Sequence, residues 1–218
     1  MLHPGSELDL YCERLSAGLW AEPLNALSNL AFFVAAYLLL RQADADRTRR
    51  FLAVLIALVG VGSLAFHMAA QVWAHWLDLL FIELFIYSYI ALYLRAAFAF
   101  SIPKVIIALL AFAVFEWRIT GLFEPGTWND SYRYLPALLA LIAMACGAIG
   151  RKRVSSAPLI AAAAVFVVAV ILRSLDLALC ANWPWGTHFI WHTLNAAVLY
   201  LGVIAMRGRP GANKNDID

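Results

Sequence analysis

The chain has 218 residues, 64% of them hydrophobic and 14% charged, with a formal net charge of +2. Such a composition excludes an ordinary water-soluble domain, whose surface carries far more charge, and places the chain in a bilayer. The net charge says little by itself, and neither nucleic acid nor an obligate protein partner is expected.

In chain order, residues 1–22 form a polar segment with His3, Glu7, Asp9, Glu13 and Arg14. It lacks the basic start, apolar run and small-residue cleavage site of a signal peptide, so none is expected. Seven apolar stretches follow, at 23–40, 51–70, 76–94, 105–123, 134–149, 158–177 and 187–206. Each approaches the roughly 20 helical residues that cross a hydrocarbon core. The expected fold is therefore all-α, a single membrane domain of seven transmembrane helices over residues 1–218, with residues 207–218 as a polar tail.

Seven spans put the termini on opposite sides, which allows every Lys and Arg to be assigned to a face. Twelve of the sixteen fall on one face: Arg41, Arg47, Arg49, Arg50, Arg95, Lys104, Arg151, Lys152, Arg153, Arg207, Arg209 and Lys214. Only Arg14, Arg118, Arg133 and Arg173 fall on the other. By the positive-inside rule the N-terminus lies outside and the C-terminus in the cytoplasm of a plasma-membrane protein. Ser63, His67, Asp78, His188 and His192 then share one depth near the outer face.

His188 and His192 are four residues apart, which puts both imidazoles on one helix face one turn apart. With His67 they make a three-histidine set that leaves a fourth tetrahedral position open, the pattern of a catalytic zinc site. The residue types also admit copper, nickel or iron. The bland alternative is three histidines that hydrogen-bond between helices, but three ionisable groups at one depth in a membrane point to function. His3 and His75 read as solvated.

Ser63 lies one turn before His67. It is either a small residue that permits close helix packing or a hydroxyl donor to an oxyanion. Asp78 could favour a helix start through the dipole, accept a proton as general base, or orient a ligand imidazole.

Three ordered blocks resemble the alkaline ceramidase family: YCERLSAGLWAEPLNALSNLAF (residues 11–32), GSLAFHMAAQVWAHWLDLL (62–80) and HFIWH (188–192). The second carries a serine, a histidine four residues later and an aspartate eleven after that. The resemblance implies a seven-helix zinc hydrolase that cleaves the amide of ceramide-like lipids, with zinc on His67, His188 and His192 and with Ser63 and Asp78 handling oxyanion and water. It also implies a calcium ion on the N-terminal carboxylates Asp9, Glu13 and Glu22, whose hard oxygens suit that cation; the plain alternative is a solvated acidic cap. Glu13 and Glu22 match the family's pattern, whereas Asp9 is displaced by one position and Leu15 stands where the family has asparagine.

Cys12 and Cys180 fall on the outer face, where a disulfide is chemically permitted, and the resemblance implies that they pair. Arg173 and Asp176, three apart on one helix, are expected to neutralise one another. No partner is evident for Glu116 or Arg118.

Two functions follow from this reading. The first is a zinc-dependent membrane amidase that releases a fatty acid and a sphingoid-type amine. The second is a seven-helix, receptor-like lipid-binding protein with structural zinc. Haem is not expected, because two histidines on one helix turn cannot clamp it from opposite faces, and helix seven has no lysine for a retinal Schiff base.

Overall fold

The computed structural model describes residues 3–16, 18–42 and 46–206, and the basic residues of the tail lie outside them. Among the described residues the chain is helical, apart from one isolated bridge between Glu7 and Gln71. The helices are α1 (Pro23–Ser28), α2 (Leu30–Leu40), α3 (Arg47–Ala69), α4 (Val72–Phe98), α5 (Ile102–Thr120), α6 (Leu135–Gly147), α7 (Ser156–Leu179) and α8 (His188–Ala205). A 3-10 stretch, Thr127–Tyr134, leads into α6.

Among the described residues five segments are long and apolar enough to cross a membrane: Pro23–Leu40, Arg47–Ala69, Val72–Phe98, Ser156–Leu179 and His188–Ala205. The other two expected spans fall short of that standard. Helix α5 carries Lys104, Glu116 and Arg118 within 19 residues, and α6 has only 13 because the chain before it winds as 3-10 helix. Large apolar side chains such as Val34, Ile107, Val114 and Ile171 are exposed on the outer faces. Lipid, not water, is the solvent that tolerates them.

Helices α1 and α2 run as one span interrupted at Asn29. The Asn25 carbonyl accepts from both Ser28 Oγ (2.8 Å) and Asn29 Nδ2 (2.8 Å), while the Asn29 N–H turns to the carbonyl of Ala26, three residues back. Competition of this kind between side chain and ladder distorts a helix locally. Here it aims Ser28 into the bundle.

Residues 3–16 fold over one end of the bundle. Leu8 N–H donates to Ala70 O (2.7 Å) and Val72 N–H to Ser6 O (3.2 Å), which ties the segment to the α3–α4 turn. A disulfide joins Cys12 to Cys180, with Cα atoms 5.4 Å apart. Cys146 is a free, exposed thiol.

Buried carboxylates from elsewhere serve the starts of α1 and α8. Glu13 accepts from Leu24 N–H (2.6 Å) and Asn25 N–H (2.8 Å). Asp176 accepts from Thr187 N–H (2.6 Å), His188 N–H (2.9 Å) and, on its other oxygen, Cys12 N–H (3.0 Å). Helix N-termini hold unpaired donors and positive dipole ends, so an anion there satisfies both. The expected Arg173–Asp176 pairing is thereby corrected, since Asp176 is spent on backbone. Arg173 donates to Asn129 O and to Ser131 Oγ (3.0 Å), and its guanidinium faces the rings of Tyr134 (5.1 Å) and Trp191 (5.7 Å).

Gly186 makes the Asp176 contact possible. Its φ of 62° lies in the left-handed region, and a Cβ there would collide with the Asp176 carboxylate and Cys12. Replacing Gly186 with Ala should cost at least about 1 kcal/mol, seen as a lower unfolding temperature in detergent; an unchanged temperature would contradict the account. Peptide mapping without reduction should recover Cys12 linked to Cys180 and Cys146 as an alkylated thiol.

Candidate functional site

The three histidines meet beneath the N-terminal segment. His67 comes from the last turn of α3, and His188 and His192 come from the first two turns of α8. All three are buried, and one ligand atom from each lies within 4.8 Å of the others. Among the described residues this is the group of three His, Cys, Asp or Glu side chains that could hold a metal ion.

Hydrogen bonds assign the tautomers of two rings. His67 Nδ1–H donates to Glu22 Oε2 at 2.6 Å. Ser28 Oγ lies 2.7 Å from His192 Nδ1, and its single proton is already given to Asn25 O, so the hydroxyl oxygen accepts from the imidazole. Both outer nitrogens therefore carry the proton, and both Nε2 atoms present bare lone pairs. Those atoms face each other at 3.1 Å. Two lone pairs so placed repel unless a cation lies between or beside them, and imidazoles held from behind by carboxylate and hydroxyl are the arrangement found around metal ions. His188 stacks on Tyr11, with ring centroids 3.6 Å apart, and its Nδ1 is buried without a partner. The donor set thus fits a divalent ion that accepts imidazole.

Glu22 is the hinge of this set. Besides His67 it binds Arg14 Nε (2.6 Å) and Asn25 Nδ2 (3.0 Å). Burial opposes its ionisation, but the hydrogen bond from His67, with those from Arg14 and Asn25, outweighs it and holds the carboxyl below its ordinary value. Burial pushes Glu13 the other way, against its two backbone hydrogen bonds. The expected calcium group of Asp9, Glu13 and Glu22 is not assembled. Asp9 is exposed, Glu13 caps α1, and Glu22 takes its positive charge from Arg14.

Ser63 and Asp78 line one cavity together with His188 and His192. Ser63 Oγ lies 3.4 Å from His192 Nε2, on the side where the lone pairs converge. Asp78 Oδ1 is buried with no hydrogen-bond partner. An orphan carboxylate oxygen of this kind is costly unless it serves a ligand or a reaction. Gly62 brings the two residues' helices together, since a Cβ there would stand 3.0 Å from Asp78 Cα and 2.8 Å from the Phe81 ring.

Ser28, Arg14 and Asp176 belong to the site's support and do not stand out in the sequence. The signal for Ser28 was present in the Asn25, Ser28, Asn29 cluster, three polar residues at the start of an apolar span. Arg14 and Asp176 carry no comparable signal, because their partners are remote in sequence. Glu116, for which sequence offered no partner, accepts a hydrogen bond from Tyr87 (3.0 Å).

Helices apolar enough to span a membrane, a buried three-histidine cluster and a largely apolar cavity beside it define a membrane protein with a candidate metal site. The family model for ceramidases matches residues 4–209, and the chain belongs to the ceramidase family. That family hydrolyses ceramide, an amide-linked lipid. No curated protein matches the chain.

Replacing Glu22 with Gln should weaken metal binding by about 10- to 100-fold, the usual cost of losing the group that orients a ligand histidine, as measured by competition with a chromophoric chelator. Unaltered affinity would show that Glu22 does not position His67.

Proposed function

We propose that this protein is a zinc-dependent amidase that hydrolyses the N-acyl bond of ceramide-like lipids to a fatty acid and a sphingoid-type amine. Family membership supports the substrate class. The observation that carries the metal is the pair of proton-free Nε2 atoms of His67 and His192 at 3.1 Å, with His188 beside them. The set is imidazole without thiolate and leaves an open coordination position, which suits catalytic zinc.

When bound, zinc supplies Lewis acidity, polarising a carbonyl and making water acidic enough to react near neutral pH. The chain's own groups do the rest. The unpartnered Oδ1 of Asp78 accepts the proton of the attacking water. Ser63 Oγ–H donates to the oxygen of the acyl carbonyl as negative charge develops there. Asp78 then returns the proton to the leaving amine, so the carboxylate ends the cycle ionised. Tyr11 and the disulfide-tethered segment cover the site and limit the water that reaches it.

The reading places α5 and α6 in the membrane beside the five longer spans, giving one seven-helix domain with its N-terminal segment outside and its C-terminus cytoplasmic. Charge distribution supports this orientation, because Arg49, Arg50, Arg95 and Arg151 lie at the end of the bundle away from the histidines. A plasma-membrane site open to the outer leaflet follows.

Asp78→Asn should retain zinc and lose turnover, since shape is kept and the basic oxygen is removed. Ser63→Ala should lower turnover by roughly 10² to 10³, the effect of one oxyanion donor. The measurement is fatty acid released per bound zinc. Parental turnover in both variants would overturn the amidase reading in favour of a receptor.

A further inference from the structure

The cavity beneath the histidines runs down the bundle between α4 and α8. On α4 it is lined by Asp78, Ile82, Ile86 and Tyr89, and on α8 by His192 and Gly202. The α4 positions recur every three or four residues and the two on α8 lie ten apart, so the cavity follows the helix axes and is not a pocket across them. Below His192 its wall is nearly all hydrocarbon. Asn195, the polar exception on α8, donates its amide to Trp191 O on its own helix (2.9 Å).

Toward the far end of the lining, α4 and α8 are joined directly. Tyr89 OH donates to Gly202 O at 2.7 Å, and Tyr89 is 5% exposed. One turn lower, Tyr93 OH donates to Met144 O at 2.6 Å, sealing α4 against α6. Gly202 faces the Tyr89 ring directly, since a Cβ there would touch it in ordinary contact at 3.4 Å.

Resting on the amidase reading above, we propose that the Tyr89–Gly202 contact is the floor of an acyl-chain tunnel and sets the longest chain the enzyme accepts. From His192 to Gly202 the helix advances about 15 Å, and from Asp78 to Tyr89 about 16 Å. That depth matches one leaflet of a hydrocarbon core about 30 Å thick. An extended chain of ~1.5 Å bonds gains ~1.25 Å per carbon, so about a dozen carbons fit beyond the carbonyl. Longer tails must bend or leave the floor's hydrogen bond broken.

The placement also gives the substrate's polarity a direction. The amide sits among Ser63, Asp78 and the histidines, because among the described residues that line the cavity Asp78, His188 and His192 are the only Asp, Glu, Lys, Arg or His. The fatty acyl tail then points toward the cytoplasmic end, and the amine moiety stays at the mouth under Tyr11.

The test uses the full-length protein in detergent and two independent readouts. One is kcat/KM for N-acyl sphingoid amides that differ only in acyl length, from medium to very long. The other is the rise in unfolding temperature produced by free saturated fatty acids of the same lengths, which requires no turnover. In the parent both readouts should drop past the fitting length, with kcat/KM falling by roughly tenfold or more per excess step, within the range set by a hydrophobic pocket. Gly202→Leu, which fills the floor, should move the cut-off to shorter chains, and Tyr89→Ala, which opens it, to longer ones. Gly202→Ala, whose added carbon makes only ordinary contact, gives a milder shift toward shorter chains should the larger substitution prevent folding. A cut-off that stays in place in the folded variants overturns the proposal. A fatty-acid cut-off that moves while no amide is hydrolysed upholds the tunnel and removes the amidase reading.

Discussion

Two imidazole nitrogens stand 3.1 Å apart in a buried site, and each ring already donates its one N–H to a group behind it. Lone pairs in that position repel, and the low dielectric magnifies the repulsion. A cation among the three rings would relieve that repulsion, and the zinc proposed above is such a cation. Glu22 orients His67 from one side and Ser28 orients His192 from the other. Each depends in turn on a local feature of the chain, the Arg14 guanidinium for Glu22 and the distorted helix at Asn29 for Ser28.

Holding three rings to a few tenths of an ångström requires that their helices not slide. Charge at helix ends does this. Glu13 fixes the start of α1, and Asp176 fixes the start of α8, where His188 is the first residue. Asp176 also holds Cys12, whose disulfide ties the N-terminal segment to the end of α7. The three histidines, the N-terminal segment and the helix ends therefore form one network at one end of the molecule. Beneath this network the wall between α4 and α8 is largely apolar, and basic residues gather at the opposite end.

Much of this was legible in the sequence, for identifiable reasons. His188 and His192 announce themselves by helical spacing, and His67, Ser63 and Asp78 by lying at the same depth as that pair. What stayed hidden depends on contacts between residues far apart. Glu22 has the carboxylate chemistry of a calcium ligand, yet it faces a guanidinium, an amide and an imidazole, and nothing local to residue 22 reveals that. Arg173 and Asp176 share a helix face and so read as a pair, but three aromatic rings and a helix start claim them separately. Hydropathy also counted α5 and α6 as spans equal to the rest, although the charges of α5 and the 3-10 stretch before α6 set them apart.

X-ray absorption at the zinc edge of the purified protein reports directly on the proposed ion and on His67, His188 and His192 as its ligands. The expected spectrum shows three imidazole nitrogens and one further light atom at about 2.0–2.1 Å, with no sulfur contribution. A shell of oxygens alone, a sulfur ligand at about 2.3 Å, or protein that carries no zinc after purification without chelators would contradict that assignment.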